Sequence, residues 1–206
     1  MQLHTLTLAA AADQPDLATY RISLSDGQPV VYRPLLPTDV DGLTEFLESL
    51  SPQTRHFWNM DSYDRKKAQE LCDAINRYDK FRMVALSEGE PHNPLLATID
   101  FAFWVEPELK RLRENGIVLP EAQTCRFGPC VRDSYQNRGL GSALMPSTLE
   151  IARRFGMQHI VLWGGVLQEN AVAVHFYRKH RFRIVGEFQE EGEGIDCYDM
   201  LLDLYN

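Results

Sequence analysis

Long apolar runs are missing from this sequence. No stretch approaches the roughly 20 residues needed to cross a bilayer, and Met1–Asp13 lacks the basic start and long apolar centre of a secretion signal. The expected setting is therefore the cytoplasm, with no membrane partner. Cysteine is scarce as well. The four present, Cys72, Cys125, Cys130 and Cys197, form no Cys-x-x-Cys pair and have no histidines at ligand spacing, which argues against a zinc site or a disulfide scaffold. Reduced thiols and no metal are expected. Basic residues are in deficit: 21 Lys and Arg against 29 Asp and Glu leave a formal net charge of -8. Nucleic-acid affinity rests on clustered cations, so this balance argues against a phosphate-backbone partner and leans toward a cationic acceptor such as an amine.

What is present is enough for one core. With 206 residues and 44% hydrophobic content, the chain reads as a single domain over 20–206 preceded by an extension over 1–19. Its central stretch is Gln136-Asn137-Arg138-Gly139-Leu140-Gly141-Ser142-Ala143, which follows a strand-like segment and opens a helix-like one. Two glycines let backbone N–H groups turn inward, and the first turn of a helix offers unpaired donors and a positive dipole end to a phosphate. A nucleoside-triphosphate loop would need Gly-Lys-Ser/Thr and a dinucleotide fingerprint a third glycine, and neither is present.

Gln136, Gly139 and Gly141 stand in register with Gln/Arg-x-x-Gly-x-Gly/Ala, the coenzyme A signature of the GNAT superfamily of N-acyltransferases. Asn170-Ala171-Val172-Ala173-Val174-His175-Phe176-Tyr177-Arg178-Lys179-His180-Arg181-Phe182 resembles that superfamily's Asn-x-x-Ala-x-x-Phe-Tyr-x-Lys-x-Gly-Phe segment, with Arg181 in place of the glycine. The resemblance implies an α/β (α+β) GNAT fold. Its mixed, mostly antiparallel central sheet is splayed between the two middle strands, with helices on both faces and, here, an N-terminal hairpin. It also implies acetyl-CoA as cosubstrate, bound by the loop from Gln136 to Ala143 and by Asn170, and Tyr177 as the acid that protonates the departing thiolate. Ser51-Pro52-Gln53-Thr54-Arg55 is similar to a stretch after the first helix in one bacterial branch, which includes domains acting on protein lysines.

Elsewhere the chain punctuates itself. Ser25-Asp26-Gly27-Gln28 joins two β-rich runs as a hairpin. Thr38–Asp41 offers an N-cap to a helix carrying Leu43, Phe46, Leu47 and Leu50, Ser51-Pro52 stops that helix with a second one beginning close by, and Arg65–Tyr78 is amphipathic. Met1–Leu17 reads as one loose strand and a lead-in. Phe81–Leu86, Pro94–Val105 and His159–Val166 read as strands, and Arg183–Glu187 with Cys197–Leu204 as a closing hairpin. His56, Phe57, Trp58 and Met60 line an acceptor pocket or, with better odds for large aromatics, pack under a loop. The helical insertion from Glu106 to Gln123 either covers the acceptor side or is a solvated surface helix.

Gly128-Pro129 inside the β-rich Cys125–Val131 removes a donor from a central strand, so either a bulge or an edge strand is expected there. The resemblance implies that a slot opened by such a bulge takes pantetheine, with backbone donors of Cys130 and Val131 facing it and the acyl oxygen. Pro146 should kink the helix that follows the loop. The implied chemistry is direct acetyl transfer to a primary amine of a small molecule, a protein lysine or a protein N-terminus. Glutamates that relatives use are absent: Arg126 and Trp163-Gly164-Gly165 stand near those positions. Asp100, acting through water, is the candidate base, and the same absence leaves open an acyl-CoA-binding module without turnover. Homodimer formation is left open.

Overall fold

A computed structural model describes residues 5–89, 92–189 and 194–205. The chain divides into two compact units, Leu6–Asp100 with Pro129–Ile151, and Phe101–Gly128 with Ala152 onward.

In the first of these units, α1 (Leu8–Asp13) replaces the loose strand expected near the start. A run of alanines has the highest helix propensity, and Thr7 caps it by accepting from the Ala10 N–H at 3.1 Å. A 3₁₀ turn over Pro15–Ala18 leads into β1 (Tyr20–Ser23) and β2 (Pro29–Pro34), the expected hairpin, whose tip places Gly27 at φ 87°. Next comes α2 (Val40–Ser49), which buries Leu43, Phe46 and Leu47. Asp39 does not cap it: its carboxylate turns back to the Leu36 N–H at 2.8 Å and to both terminal nitrogens of Arg33. Ser51 caps α3 (Pro52–Trp58) and Asp64 caps α4 (Arg65–Asp73). The amphipathic segment then tightens into a 3₁₀ turn over Ala74–Arg77 instead of remaining α-helical to Tyr78.

β3 (Lys80–Ser87) pairs antiparallel with β2, and β4 (Leu95–Ala102) lies next to β3. Trp58 and Met60 pack against a cluster of Phe46, Leu47, Leu50, Ala68 and Cys72. Trp58 also meets Phe46 edge-on at 6.3 Å between centroids, so Trp58 and Met60 are packing residues.

In the second unit, α5 (Glu106–Glu114) is helical as expected and ends at Gly116. It is not a solvated surface helix: Leu109 and Leu112 pack with Val105, Val161 and Leu201. β5 (Thr124–Val131) runs parallel to β6 (His159–Leu162), with register pairs from Thr124↔His159 to Phe127↔Leu162. α6 (Leu140–Arg154), which belongs to the first unit as far as Ile151, keeps Pro146 within it and is followed by a left-handed Gly156. The run His159–Val166 is two strands. Gly164 and Gly165, at φ 68° and 74°, turn the chain between β6 and β7 (Val166–Leu167), and a Cβ on Gly165 would lie 2.7 Å from the Tyr198 carbonyl oxygen.

α7 (Ala171–Lys179) follows, then β8 (Arg183–Gln189) and β9 (Asp196–Asp203). These two strands form the closing hairpin, and β9 also pairs antiparallel with β6 and β7. The tip residues 190–193 lie outside the described residues. Among the described residues, nine strands and seven α-helices, with mostly antiparallel pairing, give the mixed α/β class expected.

Three helices end with one device. In α7 the Phe182 N–H reaches the Tyr177 carbonyl and the Arg181 N–H the Arg178 carbonyl, both at 3.0 Å, with Arg181 at φ 67°. That is a Schellman motif, and Gly116 and Gly156 close α5 and α6 in the same way. The chain accepts a left-handed arginine at a cost of about 1 kcal/mol, offset by the Tyr177–Phe182 ring contact at 5.3 Å.

Candidate active site

The loop before α6 is the most shaped piece of backbone in the first unit. From β5 the chain enters a 3₁₀ turn over Asp133–Tyr135 and then swings through Asn137 at φ 58° and Gly139 at φ 85°. Nothing lies within 4 Å of the place a Gly139 Cβ would take, so the loop faces open space. Asn137, Arg138 and Gly139 are exposed, while Leu140 is fully buried and anchors the start of the helix.

The first helical bond runs from the Ala143 N–H to the Gly139 carbonyl at 2.9 Å. The N–H groups of Leu140 and Gly141 therefore precede the helical ladder, at the positive end of the helix dipole. Exposed glycine backbone, early donors and helix dipole fit the diphosphate of coenzyme A. Arg138 adds a cation beside them, lying 4.9 Å over the Tyr135 ring and 3.2 Å from Asp26 Oδ2. Gln136 plays a different part from its neighbours: Nε2 donates to Thr54 Oγ1 and to the Val131 carbonyl, both at 3.0 Å.

Cys130 and Asp100 belong to the same unit. Burial pushes the Cys130 thiol well above its usual range, with Asp133 and Asp100 adding to the shift, so this sulfur is not a ready nucleophile. Asp100 accepts from Arg82 Nε at 3.1 Å. Burial raises its carboxyl above the usual range, with Arg82 and Lys80 pulling the other way. It lines a small cavity with Thr98, Trp58, Leu43 and Leu71, and the buried Thr98 hydroxyl has no hydrogen-bond partner among the described residues. A raised carboxyl in a cavity is the direction general-base chemistry requires, although Asp100 is also the ion-paired strand residue that its sequence position allows.

The second unit holds Tyr177 and Asn170. Asn170 Oδ1 accepts from the Ala173 N–H at 3.1 Å and so caps α7, a role that uses its carbonyl oxygen and not its Nδ2 donors. Tyr177 is buried, its ring packed edge-on against Phe127 at 6.3 Å and beside Phe182. Phe127 is also the last β5 residue paired with β6.

One carboxylate near this strand was not legible as a site residue. Arg126 is buried and donates from Nε to Glu108 Oε2 at 2.6 Å, while Glu108 Oε1 accepts from the Gly164 N–H at 3.1 Å. The guanidinium lies 4.7 Å from the Trp104 ring and 5.5 Å from the Trp163 ring. On this strand the chain has an arginine whose carboxylate partner comes from α5. Val105, Glu108, Leu109 and Leu112 occupy i, i+3, i+4 and i+7, so the readable signal was an acid standing in an apolar stripe.

The expected site residues are thus divided: Asp100, Cys130, Val131 and the loop Gln136–Ala143 lie in one unit, Asn170 and Tyr177 in the other. Among the described residues, no group of three or more His, Cys, Asp or Glu is placed to hold a metal ion, and no helix is long and apolar enough to cross a membrane.

Residues 43–182 match the model of the acetyltransferase (GNAT) family. The acetyltransferase PA5475 of Pseudomonas aeruginosa is 30% identical over 143 residues, covering 67% of this chain and 67% of that protein. Among solved structures, the ribosomal-protein-S5-alanine acetyltransferase of Vibrio fischeri superposes with a TM-score of 0.69 at 10% identity, covering 91% of this chain and 97% of that one. The acetyltransferase yncA of Salmonella typhimurium, solved with its cofactor acetyl-CoA, superposes with a TM-score of 0.62 at 18% identity over 86% of this chain and 95% of that one. These likenesses establish the GNAT fold and an acyltransferase enzyme. The chain belongs to the GNAT acetyltransferase family.

Proposed function

We propose that this protein is a cytoplasmic N-acetyltransferase, with residues 20–206 as its domain, moving an acetyl group from acetyl-CoA to a primary amine of a small molecule or protein by direct transfer. The observation that carries this reading is the open, glycine-turned loop delivering the N–H groups of Leu140 and Gly141 to the start of α6. Acetyl-CoA supplies the acetyl group as an activated thioester. The loop Gln136–Ala143 holds its diphosphate end, with Arg138 as a cation and Asn170 as a further polar contact. Backbone N–H groups of Cys130 and Val131 are the donors assigned to pantetheine and the acyl oxygen.

The acceptor must attack as a neutral amine, so an ammonium first gives up a proton to Asp100 through water. Its nitrogen then bonds to the thioester carbonyl carbon, the C–S bond breaks, and Tyr177 gives a proton to the departing sulfur. The net charge of -8 favours cationic acceptors, and a Vibrio fischeri neighbour named for a ribosomal alanine makes protein N-termini a natural part of the panel.

Thiol release from acetyl-CoA, followed over a panel of polyamines, lysine peptides and N-terminal peptides, tests the reading. Acceptor-dependent release supports it. A second reading is favoured by one observation: Asp100 and Glu108 are both tied into ion pairs. A protein that binds acetyl-CoA and releases no thiol with any amine would be an acyl-CoA-binding module instead. Arg138→Glu should weaken coenzyme binding under either reading, and unchanged affinity would remove the phosphate loop from both.

A further inference from the structure

We propose that Ser51, Thr54 and Asp133 are positioning residues that hold the loop before α6 in its coenzyme-binding shape, with Gln136 as the link. The inference rests on the functional reading above, in which that loop binds the coenzyme diphosphate. It assigns roles the loop motif alone does not carry, because it moves Gln136 from ligand contact to scaffold.

The geometry is a closed set of hydrogen bonds within one unit. Asp133 opens the 3₁₀ turn ahead of the loop, and its carboxylate accepts from the Ser51 N–H at 3.0 Å, the Ser51 hydroxyl at 2.5 Å and the Thr54 hydroxyl at 2.7 Å. A carboxylate only accepts, so the Thr54 proton is committed to Asp133 and the hydroxyl's lone pairs are left to accept. Gln136 Nε2 donates to that oxygen at 3.0 Å and sends its other N–H to the Val131 carbonyl at 3.0 Å. Thr54 is buried, so these bonds are shielded from competing water.

The consequence is a loop fixed just before it turns. Asp133 and Gln136 are also joined through the backbone, Gln136 N–H to Asp133 carbonyl at 3.2 Å. The left-handed Asn137 comes next, and the helix donors begin three residues later at Leu140. An unpinned loop would have to be ordered on binding, and each residue fixed costs backbone entropy. With both Nε2 donors engaged, Gln136 contributes by shaping the backbone. The Ser-Pro-Gln-Thr segment that caps and opens α3 acquires a role by the same geometry: Ser51 caps α3 through the Thr54 N–H and holds Asp133 with the same hydroxyl.

The test compares Thr54→Val, which keeps the shape and loses the hydroxyl, with Thr54→Ser, which restores it. Three quantities are read on the full chain: coenzyme A affinity by calorimetry, turnover at saturating acetyl-CoA, and amide hydrogen exchange over residues 136–143 without ligand. Thr54→Val should weaken coenzyme A binding about tenfold, the effect of losing roughly one buried hydrogen bond. It should speed exchange in the loop and leave saturated turnover within about twofold, while Thr54→Ser returns all three toward wild type. Equal exchange and equal affinity in a folded Thr54→Val protein overturn the proposal. If Thr54→Val does not fold, Gln136→Met removes the two donors and leaves the α2–α3 corner intact; it should show the same losses, and wild-type exchange and affinity in it would overturn the tether. Wild-type protein that binds no coenzyme A would instead refute the functional reading, and ligand-free exchange would still decide for or against the tether.

Discussion

Arg126 and Glu108 form an ion pair with side chains only 5% and 3% exposed, joining β5 to the helix inserted ahead of it at 2.6 Å. Removing one partner strands a buried charge. Glu108→Ala should therefore cost about 3–5 kcal/mol in denaturant unfolding, whereas an Arg126→Met, Glu108→Leu double variant should recover most of that loss. Additive losses in the double variant would show that the pair is not the source of the destabilisation.

The left-handed arginine that ends α7 makes a prediction of opposite sign. Arg181 sits at φ 67° in a position that glycine occupies without strain. Arg181→Gly should stabilise the protein by about 1 kcal/mol, less the entropy the added glycine gives the unfolded chain. A higher melting temperature with unchanged coenzyme affinity is the expected result, and a lower one would mean that Arg181 makes a contact worth more than the strain.

For catalysis, Tyr177→Phe keeps the ring in its nest of Phe127 and Phe182 and deletes the proton. Turnover should fall about 10²–10⁴-fold with coenzyme affinity nearly constant. Undiminished turnover would take Tyr177 out of the mechanism. Asp100→Asn should abolish the acid limb of the kcat/KM profile; because burial raises the Asp100 carboxyl, that limb should lie above the usual carboxylate range in the wild type.

Acid stability should report on Asp133. Burial opposes its ionisation, but donation from the Ser51 hydroxyl and N–H and from the Thr54 hydroxyl outweighs burial and holds the carboxyl below its usual range. A depressed folded value means that the stabilisation is full above the unfolded pKa of about 3.9 and is lost as pH falls through the folded value. The stability curve of Asp133→Asn should be flatter than wild type across that window. Identical acid limbs would show that the carboxylate titrates alike in both states.

Much of this was legible because it is local. The Asp-Gly hairpin, the glycine ends of α5 and α6 and the glycine-turned loop before α6 each depend on residues within a few positions of one another. Local rules failed where two of them competed. The alanine run forms α1 where a lead-in to the domain is expected, Asp39 prefers Arg33 to its own helix, and Gly164 with Gly165 divides one apolar run into two strands.

By itself the sequence determined the family and the turn of the loop before α6, because backbone turns and helix starts are set by neighbouring residues. Only the tertiary structure decided which long-range partners those residues take: Gln136 with Thr54, Arg126 with Glu108, Asp100 with Arg82. A buried polar group must find a partner wherever the fold places one, and sequence separations of 82, 18 and 18 residues carry no local signal of that choice.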